Sequence, residues 1–385
     1  MGLKTVVLAV VLIVVLFVSI IAAAAWWFGD VDPITDFFVG VEFAYSGNVG
    51  DLKVLVDKVK DYTNLFVIGS IEVTFNQTAL DEACDYVVGS GLNLIVFFTD
   101  SEMYNYTIFD WMLDAEQKYG DMFLGVYRYD EPGGNQLDQG ASLLLNRTDV
   151  ATYGTYANAS SYYVSSLSII INHYRSISKA VFTADYGLYW FDYKIGYDAI
   201  FAEFGWNHSR PLHIALCRGA AEAYNKDWGA IITWEYTEPT PYYIESGEEL
   251  YEDMVLAYRT GAKYVIVFDY PKIGPYGILT EERGHFDALR DFWAYVHSNP
   301  QEHGSVRAEA AYVLPQDYGF GFRNPTDTIW GLWSADDLSE KVWNDANTLI
   351  DRYGTRLDIV YGDPEVMGAV KSRYDKLFFW NQTVA

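Results

Sequence analysis

The feature that most constrains the fold is a regular alternation of short apolar segments and amphipathic segments along residues 37–297. Each apolar segment is hydrophobic nearly throughout, as parallel strands covered on both faces must be. Strand–helix alternation indicates a parallel sheet, and eight units over about 260 residues match a (β/α)8 barrel. The eight predicted strands are 37–45, 65–70, 92–98, 123–129, 180–185, 199–203, 229–235 and 264–269.

The segments between these predicted strands have helical spacing. In the first of them, Leu52, Leu55, Val56 and Val59 share one face. Residues 189–197 are too short for a full helix and predict a short connection. A doubly wound open sheet is the alternative fold, but no glycine-rich phosphate loop follows the first predicted strand. The predicted helices are 51–62, 78–89, 109–119, 159–176, 211–225, 248–260 and 281–297.

The beginning of the chain predicts a membrane anchor. Residues 5–28 carry no charge, and 24 residues are enough to span a bilayer core of about 30 Å as a helix. Lys4 precedes this run and Asp30 and Asp32 follow it, which predicts an N-in, C-out orientation. A cleavable signal peptide is the alternative, because residues 22–25 are all alanine. Both interpretations place the bulk of the chain outside the cell, anchored at the surface or secreted.

Composition narrows the classes of partner. The net charge is −26, and such a surface repels polyanions, which argues against nucleic acid. The 12 Trp, 32 Tyr and 22 Phe suit a carbohydrate partner, although many will be packing residues. Cys84 and Cys217 are interpreted as buried free thiols. Glycosylation outside the cell is predicted at the Asn-x-Ser/Thr sites Asn76, Asn105, Asn146, Asn158, Asn207 and Asn381.

Acidic residues stand at the ends of the predicted strands. The chemistry of a (β/α)8 barrel lies at the carboxyl ends of its strands, and carboxylates are rarely buried there for packing alone. Two carboxylates can divide the work of glycoside hydrolysis, one as acid and the other as nucleophile or base. The strand-end carboxylates are Glu42, Asp100, Asp130, Glu131, Asp185, Glu203, Glu235 and Asp269.

Two of these positions carry a family resemblance. Asp130-Glu131-Pro132 follows the fourth predicted strand, and Trp234-Glu235 ends the seventh. Over residues 37–297 the chain resembles the retaining (β/α)8 glycosidases of clan A, the 4/7 superfamily, whose strand-four motif is typically Asn-Glu-Pro. The resemblance implies that Glu131 is the acid/base and Glu235 the nucleophile. Asp130 departs from the motif, because an ionised Asp cannot donate the hydrogen bond that the Asn gives to the sugar 2-hydroxyl.

The C-terminal piece, residues 305–385, predicts a small α/β domain. Strands are expected at 309–314, 357–361 and 377–379, with a helix at 336–353. The piece resembles part of a flavodoxin-like domain and the amidotransferase-like domain appended to some family 42 β-galactosidase relatives. It has no cysteine, so it lacks the nucleophile of true amidotransferases. The predicted organisation is an anchor at 1–29, a barrel at 30–300 and this domain.

The sequence thus predicts an extracellular, membrane-anchored glycoside hydrolase that acts on a polysaccharide or oligosaccharide by a retaining mechanism. A non-catalytic glycan-binding or envelope protein on the same barrel is the alternative. A metal-dependent hydrolase is disfavoured because the six histidines show no zinc spacing, and no cofactor is expected. The residues expected to bind substrate are Asp130, Glu42, Arg128, Asp185, Glu203, Trp206, Trp234, Tyr236 and Asp269.

Overall fold

The computed structural model describes residues 36–139, 145, 150–205, 208–236, 243–269 and 284–384. Within it, Phe38–Ala385 form one compact unit. The predicted anchor at 1–29 lies outside the described residues. Among the helices that are described, none is long and apolar enough to cross a membrane.

Eight parallel strands close into a barrel, which confirms the predicted (β/α)8 fold. The order around the barrel is first, eighth, seventh, sixth, fifth, fourth, third and second, so every strand pairs with its neighbours in sequence. The strands are β1 Phe38–Phe43, β2 Leu65–Ile68, β3 Asn93–Phe98, β4 Phe123–Arg128, β5 Val181–Asp185, β6 Ala199–Phe204, β7 Asp227–Thr233 and β8 Tyr264–Asp269.

The barrel interior is filled by alternate residues of these strands, because successive side chains of a strand point to opposite faces. Aromatic rings dominate this core. The rings of Phe182 and Phe201 stack with centroids 5.5 Å apart, and the ring of Tyr264 lies 5.4 Å from that of Phe182. Tyr127 joins the same cluster from β4. The interior is therefore packed solid except at its carboxyl-terminal mouth.

Helices surround the barrel within a few residues of the predicted positions. The connection between β5 and β6 was predicted as a short link but contains a helix of seven residues, Tyr189–Ile195. The helix Pro132–Gln139, directly after Glu131, was also not predicted. The helices are α1 Val49–Val59, α2 Ile71–Thr74, α3 Gln77–Gly89, α4 Ile108–Tyr119, α5 Pro132–Gln139, α6 Val150–Tyr153, α7 Tyr156–Arg175, α8 Tyr189–Ile195, α9 Arg210–Tyr224, α10 Gly247–Arg259, α11 His285–Ser298, α12 Ser339–Tyr353 and α13 Met367–Arg373.

The C-terminal strands form a small parallel sheet of their own. Its strands are β9 Ala310–Leu314, β10 Leu357–Tyr361 and β11 Lys376–Phe379, with β9 in the middle. Arg218 of α9 joins this sheet to the barrel: its Nε donates to Asp358 Oδ1 at 2.9 Å and its Nη2 to the Thr355 carbonyl at 2.6 Å. Both side chains of this ion pair are buried. A buried pair of this kind is costly to break, since each charge would be left unpaired.

A loop of the C-terminal region, residues 317–333, packs against α5 of the barrel and forms polar contacts with it. The Gln136 amide donates to the Trp330 carbonyl at 3.0 Å, and Arg323 forms an ion pair with Asp138. Gly331 has φ +63°, and a Cβ there would lie 2.0 Å from the Gln136 carbonyl oxygen, so only glycine fits. We call residues 317–333 the C-terminal loop. It holds the helix that begins directly after Glu131.

Candidate active site

A cavity of about 360 Å³ opens at the carboxyl-terminal mouth of the barrel. Its size is that of a small-molecule site, and its place is the usual one for barrel chemistry. Aromatic side chains supply much of its apolar wall, namely Tyr45, Phe97, Tyr127 and Phe268. Four carboxyl groups from three parts of the barrel also face it, namely Glu42, Asp130, Glu131 and Glu203. Glu42 and Glu203 are buried, Glu131 is half-buried and Asp130 is exposed.

Glu131 is held in a constrained turn after β4. Tyr129 and Glu131 both adopt the left-handed backbone conformation, with φ of 59° and 50°. Such conformations cost about 1–3 kcal/mol for residues other than glycine and persist where the surroundings enforce them. Here the Glu131 amide donates to the Ala184 carbonyl at 3.1 Å, which ties the turn to β5. The turn therefore fixes where the Glu131 carboxyl group enters the cavity.

The carboxyl groups of Glu131 and Glu203 interact, and each affects the pKa of the other. Burial, followed by the charge of Asp130, raises the pKa of Glu131 to about 8. Burial, followed by the charge of Glu131, raises the pKa of Glu203 well above its usual value. The pair therefore carries at least one proton at neutral pH.

Asp130 and Glu42 lie beside this pair. The Tyr127 hydroxyl donates to the Asp130 carboxylate, which opposes the rise in the Asp130 pKa that burial causes. Glu42 is 5 % exposed, and burial followed by the charge of Asp130 raises its pKa well above the usual value. Space for Glu42 exists because residue 69 is glycine: a Cβ there would lie 2.0 Å from Glu42 Oε1. The cavity thus brings together four predicted site residues.

Asp185 does not line the cavity. It is fully buried beneath the turn, where its carboxylate accepts the N–H groups of Gly133 at 2.6 Å, Gly134 at 2.8 Å and Gly187 at 2.9 Å. Burial raises the pKa of Asp185 to about 6, and these N–H groups oppose that rise. Asp185 was predicted to bind substrate, but the structure gives it another task, since it secures the backbone that follows Glu131.

Arg128 also points away from the cavity, contrary to its expected place. Its guanidinium is buried between helices and β3, where it donates to the Phe98 carbonyl at 3.0 Å and pairs with Asp100. The ring of Tyr129 packs against it with the centroid 4.0 Å away. The reason is strand alternation: Tyr127 turns into the barrel, so the next residue of β4 turns out.

The remaining predicted residues divide into two groups. Trp234 is fully buried, and its ring packs 4.7 Å from that of His285 rather than lining the cavity. Trp206 lies outside the described residues. The backbone of Glu235 and Tyr236 forms a short antiparallel hairpin with Tyr243–Ile244, and that of Asp269 ends β8. The side chains of Glu235, Tyr236 and Asp269 lie outside the described part of the structure.

Sequence reasoning missed the neutral residues of the cavity. Phe97, Tyr127, Thr233 and Phe268 line it from β3, β4, β7 and β8. The signal for them was the period-two alternation of each strand, which turns the same residues toward the cavity that turn toward the core below it. Within the described residues, no group of three or more His, Cys, Asp or Glu side chains is arranged to hold a metal ion. Cys84 and Cys217 are buried and free of disulfides, as predicted.

Comparison with known proteins yields structural matches only. No family model matches the sequence, and no curated protein matches it. Among solved structures, α-L-fucosidase isoenzyme 2 from Paenibacillus thiaminolyticus aligns with a TM-score of 0.52 and 11 % identity, over 89 % of this chain and 64 % of the fucosidase. This chain therefore spans less than two thirds of that enzyme's length.

Two weaker matches are also glycosidases by name. The GH99 endo-α-mannosidase from Bacteroides thetaiotaomicron aligns with a TM-score of 0.43 and 10 % identity, over 69 % of this chain and 98 % of that one. A GH113 β-1,4-mannanase aligns with a TM-score of 0.41 and 9 % identity, over 68 % and 99 %. At these identities only the fucosidase match carries weight, and what it shows is a shared fold, the eight-stranded parallel barrel.

Proposed function

We propose that the chain is a glycoside hydrolase acting on a polysaccharide or oligosaccharide, with Glu131 as its proton donor. The observation that carries the proposal is the position of the Glu131 carboxyl group, which a constrained turn holds in a cavity at the mouth of the barrel and whose pKa burial raises to about 8. The fold shared with an α-L-fucosidase supports the same reaction class.

The chemistry follows from the environment of Glu131. Glycosidic cleavage needs an acid that protonates the leaving oxygen and a carboxylate that stabilises or attacks the positively charged anomeric carbon. A carboxyl group with a pKa of about 8 remains protonated at neutral pH and can donate when the bond breaks. The aromatic walls offer apolar faces for the C–H side of a sugar ring.

The carboxyl group of Glu203 acts on that of Glu131 and shifts its pKa. We therefore assign Glu203 the role of sharing the proton of Glu131. The proposed nucleophile remains Glu235. Thr233 is the last residue of β7 and lines the cavity, and Glu235 follows it by two residues.

The proposed setting is the cell surface. The uncharged run at 5–28 and the six glycosylation sites support it. Asn105, for example, lies in a surface loop, where its side-chain oxygen accepts a hydrogen bond from the backbone N–H of Gln77. A shift in electrophoretic mobility after treatment with a deglycosylating enzyme, together with membrane fractionation of the full chain, tests this part of the proposal independently of activity.

A non-catalytic glycan-binding protein is the second candidate. The observation that favours it is that burial raises the pKa of all four carboxyl groups that face the cavity, whereas hydrolysis needs one of its two carboxyl groups to be ionised. Such a protein would use the same aromatic walls and carboxyl groups to hold a sugar. It would bind oligosaccharides without cleaving them.

The test is hydrolysis of a panel of aryl glycosides and polysaccharides by the full chain. We expect turnover by the wild type, loss in Glu131→Gln and Glu235→Gln, and normal turnover in Glu340→Gln, a matched change on the exposed first turn of α12. Product released with the anomeric configuration of the substrate, measured by NMR, supports the retaining mechanism. Binding without turnover across the panel supports the second candidate instead.

A further inference from the structure

Among the described residues, the charged side chains that line the cavity are all acidic. Beside the four carboxyl groups of Glu42, Asp130, Glu131 and Glu203, the exposed Glu72 stands at its rim. No Lys, Arg or His is among the described residues that line it. A ligand that enters the cavity therefore meets acidic groups on several sides.

Buried acidic groups elsewhere in this fold have partners within the chain, and several of these partners are arginines. Asp358 pairs with Arg218 at 2.9 Å, and Glu245 pairs with Arg210 at 2.9 Å. Asp327 is likewise held by Arg323. Buried carboxylates that stabilise the fold thus have a cation or hydrogen-bond donors as partners, as Asp185 has in three backbone N–H groups, because burying an unpaired charge is costly.

Glu42 is the exception. It is 5 % exposed, it faces the cavity, and no residue in the described part of the chain forms a hydrogen bond or ion pair with it. The charge that raises the pKa of Glu42, after burial, is that of another acidic group, Asp130. The close approach of Glu42 to Gly69 shows that its position is built into the barrel. Its partner must come from the ligand.

We infer that this cavity binds a sugar unit with a free amino group, so that the ammonium ion is the counter-charge for Glu42 and its acidic neighbours. The inference rests on the proposed function as a glycan site and names its substrate class. An ammonium ion offers three N–H donors and a positive charge, whereas a sugar hydroxyl offers one donor and no charge. A uronic acid or a sulfated sugar would be repelled.

The raised pKa values of the cavity carboxyl groups are consistent with this ligand. Burial and mutual repulsion favour their protonated forms. A cation within about 4–6 Å favours the ionised carboxylate, so a bound ammonium ion replaces protons as the neutralising charge. A neutral sugar would leave the carboxyl groups protonated and gain only ordinary hydrogen bonds.

The test is calorimetric binding of monosaccharides to the full chain at constant ionic strength. The probes are glucosamine, galactosamine and mannosamine, each beside its neutral parent sugar and its N-acetylated form, with glucuronic acid as the anionic probe. We expect at least one amine to bind about ten- to a hundredfold more tightly than its parent, as a charge-assisted hydrogen bond provides. N-acetylation should remove the gain, and glucuronic acid should not bind.

Three variants decide whether Glu42 is responsible. Glu42→Gln keeps the shape but not the charge and should abolish the preference for the amine, and Gly69→Ala should do the same by displacing Glu42. Glu340→Gln removes an exposed charge and should retain the preference. Near-ultraviolet circular dichroism confirms that each variant is folded. Equal or tighter binding of the neutral sugars, no binding of any sugar, or an amine preference that survives in folded Glu42→Gln overturns the inference.

The hydrolase proposal and the amino-sugar inference can be overturned independently of each other. A chain that prefers amino sugars but cleaves no glycoside contradicts the hydrolase and leaves this inference standing. A chain that cleaves neutral aryl glycosides, and neither binds nor cleaves their amino counterparts, keeps the hydrolase and overturns the inference.

Discussion

The carboxyl groups of Glu131 and Glu203 shift each other's pKa although Glu131 follows β4 and Glu203 lies on β6, with β5 between the two strands. Burial raises the pKa of both groups, and the hydrogen bond from Glu203 partly opposes the rise at Glu131. The proton at the centre of the proposed mechanism is therefore controlled by two residues.

Glycoside hydrolysis by this chain should fall as the pH rises through about 8, because Glu131 then loses the proton that it donates. Glu131→Gln should lose about 10²–10⁴ in kcat for substrates with a poor leaving group, since that is the usual contribution of a general acid. The pH profile of kcat for an aryl glycoside checks the first expectation. A rate that stays level up to pH 10 would exclude Glu131 as the acid.

Replacing Glu203 should move that pH limit in a direction set by the hydrogen bond. Glu203→Leu removes the bond that favours the ionised form of Glu131, so the pKa of Glu131 should rise and the active range should extend to higher pH. Glu203→Gln keeps a donor in place and should change the limit much less. A pH limit that falls in Glu203→Leu contradicts the assigned role.

The stability of the fold should also depend on Glu131. Its pKa is about 8 in the folded chain against an ordinary value of 4.5, so its share of stability is complete below pH 4.5 and is lost as the pH rises to about 8. Glu131→Gln should therefore gain stability relative to wild type at pH 8.5 compared with pH 4.5. Urea unfolding at both values measures this, and Glu340→Gln corrects for the general charge effect. A difference that is the same at both pH values would count against the raised pKa.

Gly69→Ala should damage the cavity more than the fold. The new methyl group would lie 2.0 Å from Glu42 Oε1, and the flexible end of that side chain can swing away. We expect a change in unfolding free energy of about 1 kcal/mol or less together with loss of sugar binding. Gly89→Ala is the control, because a Cβ there meets nothing within 4 Å. Binding that persists in Gly69→Ala would show that Glu42 does not hold the ligand.

Asp185→Ala should destabilise the chain by about 2–4 kcal/mol, because the N–H groups of Gly133, Gly134 and Gly187 lose their buried acceptor. Asp185→Asn keeps one acceptor oxygen and should cost less. The same variants should lower kcat with little effect on KM, since the turn that positions Glu131 is loosened. Denaturant unfolding and steady-state kinetics test the two effects, and an unfolding midpoint equal to wild type in Asp185→Ala would refute the first.

The barrel was predictable because its signal is redundant. Each strand is a buried apolar run, and eight such runs alternate with helical patterns. An error in the bounds of one strand therefore leaves the number of strands unchanged. The seven-residue helix Tyr189–Ile195 was missed because it is nearly all buried and shows no polar face. Its burial depends on packing against α7 and α9, which no local pattern reveals.

The site was predictable in composition but not in orientation. Carboxylates at strand ends were recognised, yet Arg128 and Asp185 turn outward while Tyr127 and Ala184, one residue earlier, face the cavity. Strand alternation would have separated these pairs. The contact of Glu131 with Glu203 has no sequence signal at all, because it depends on the left-handed turn at Tyr129 and Glu131.

The contacts between the C-terminal loop and α5 have a consequence for folding during synthesis. A ribosome completes Glu131 long before it reaches Trp330 and Gly331, which hold the helix that follows Glu131. Chains fold from the N-terminus during synthesis. We expect Glu131 to reach its final position only after nearly the whole chain has been synthesised. A chain that ends before Trp330 should therefore lack an ordered cavity.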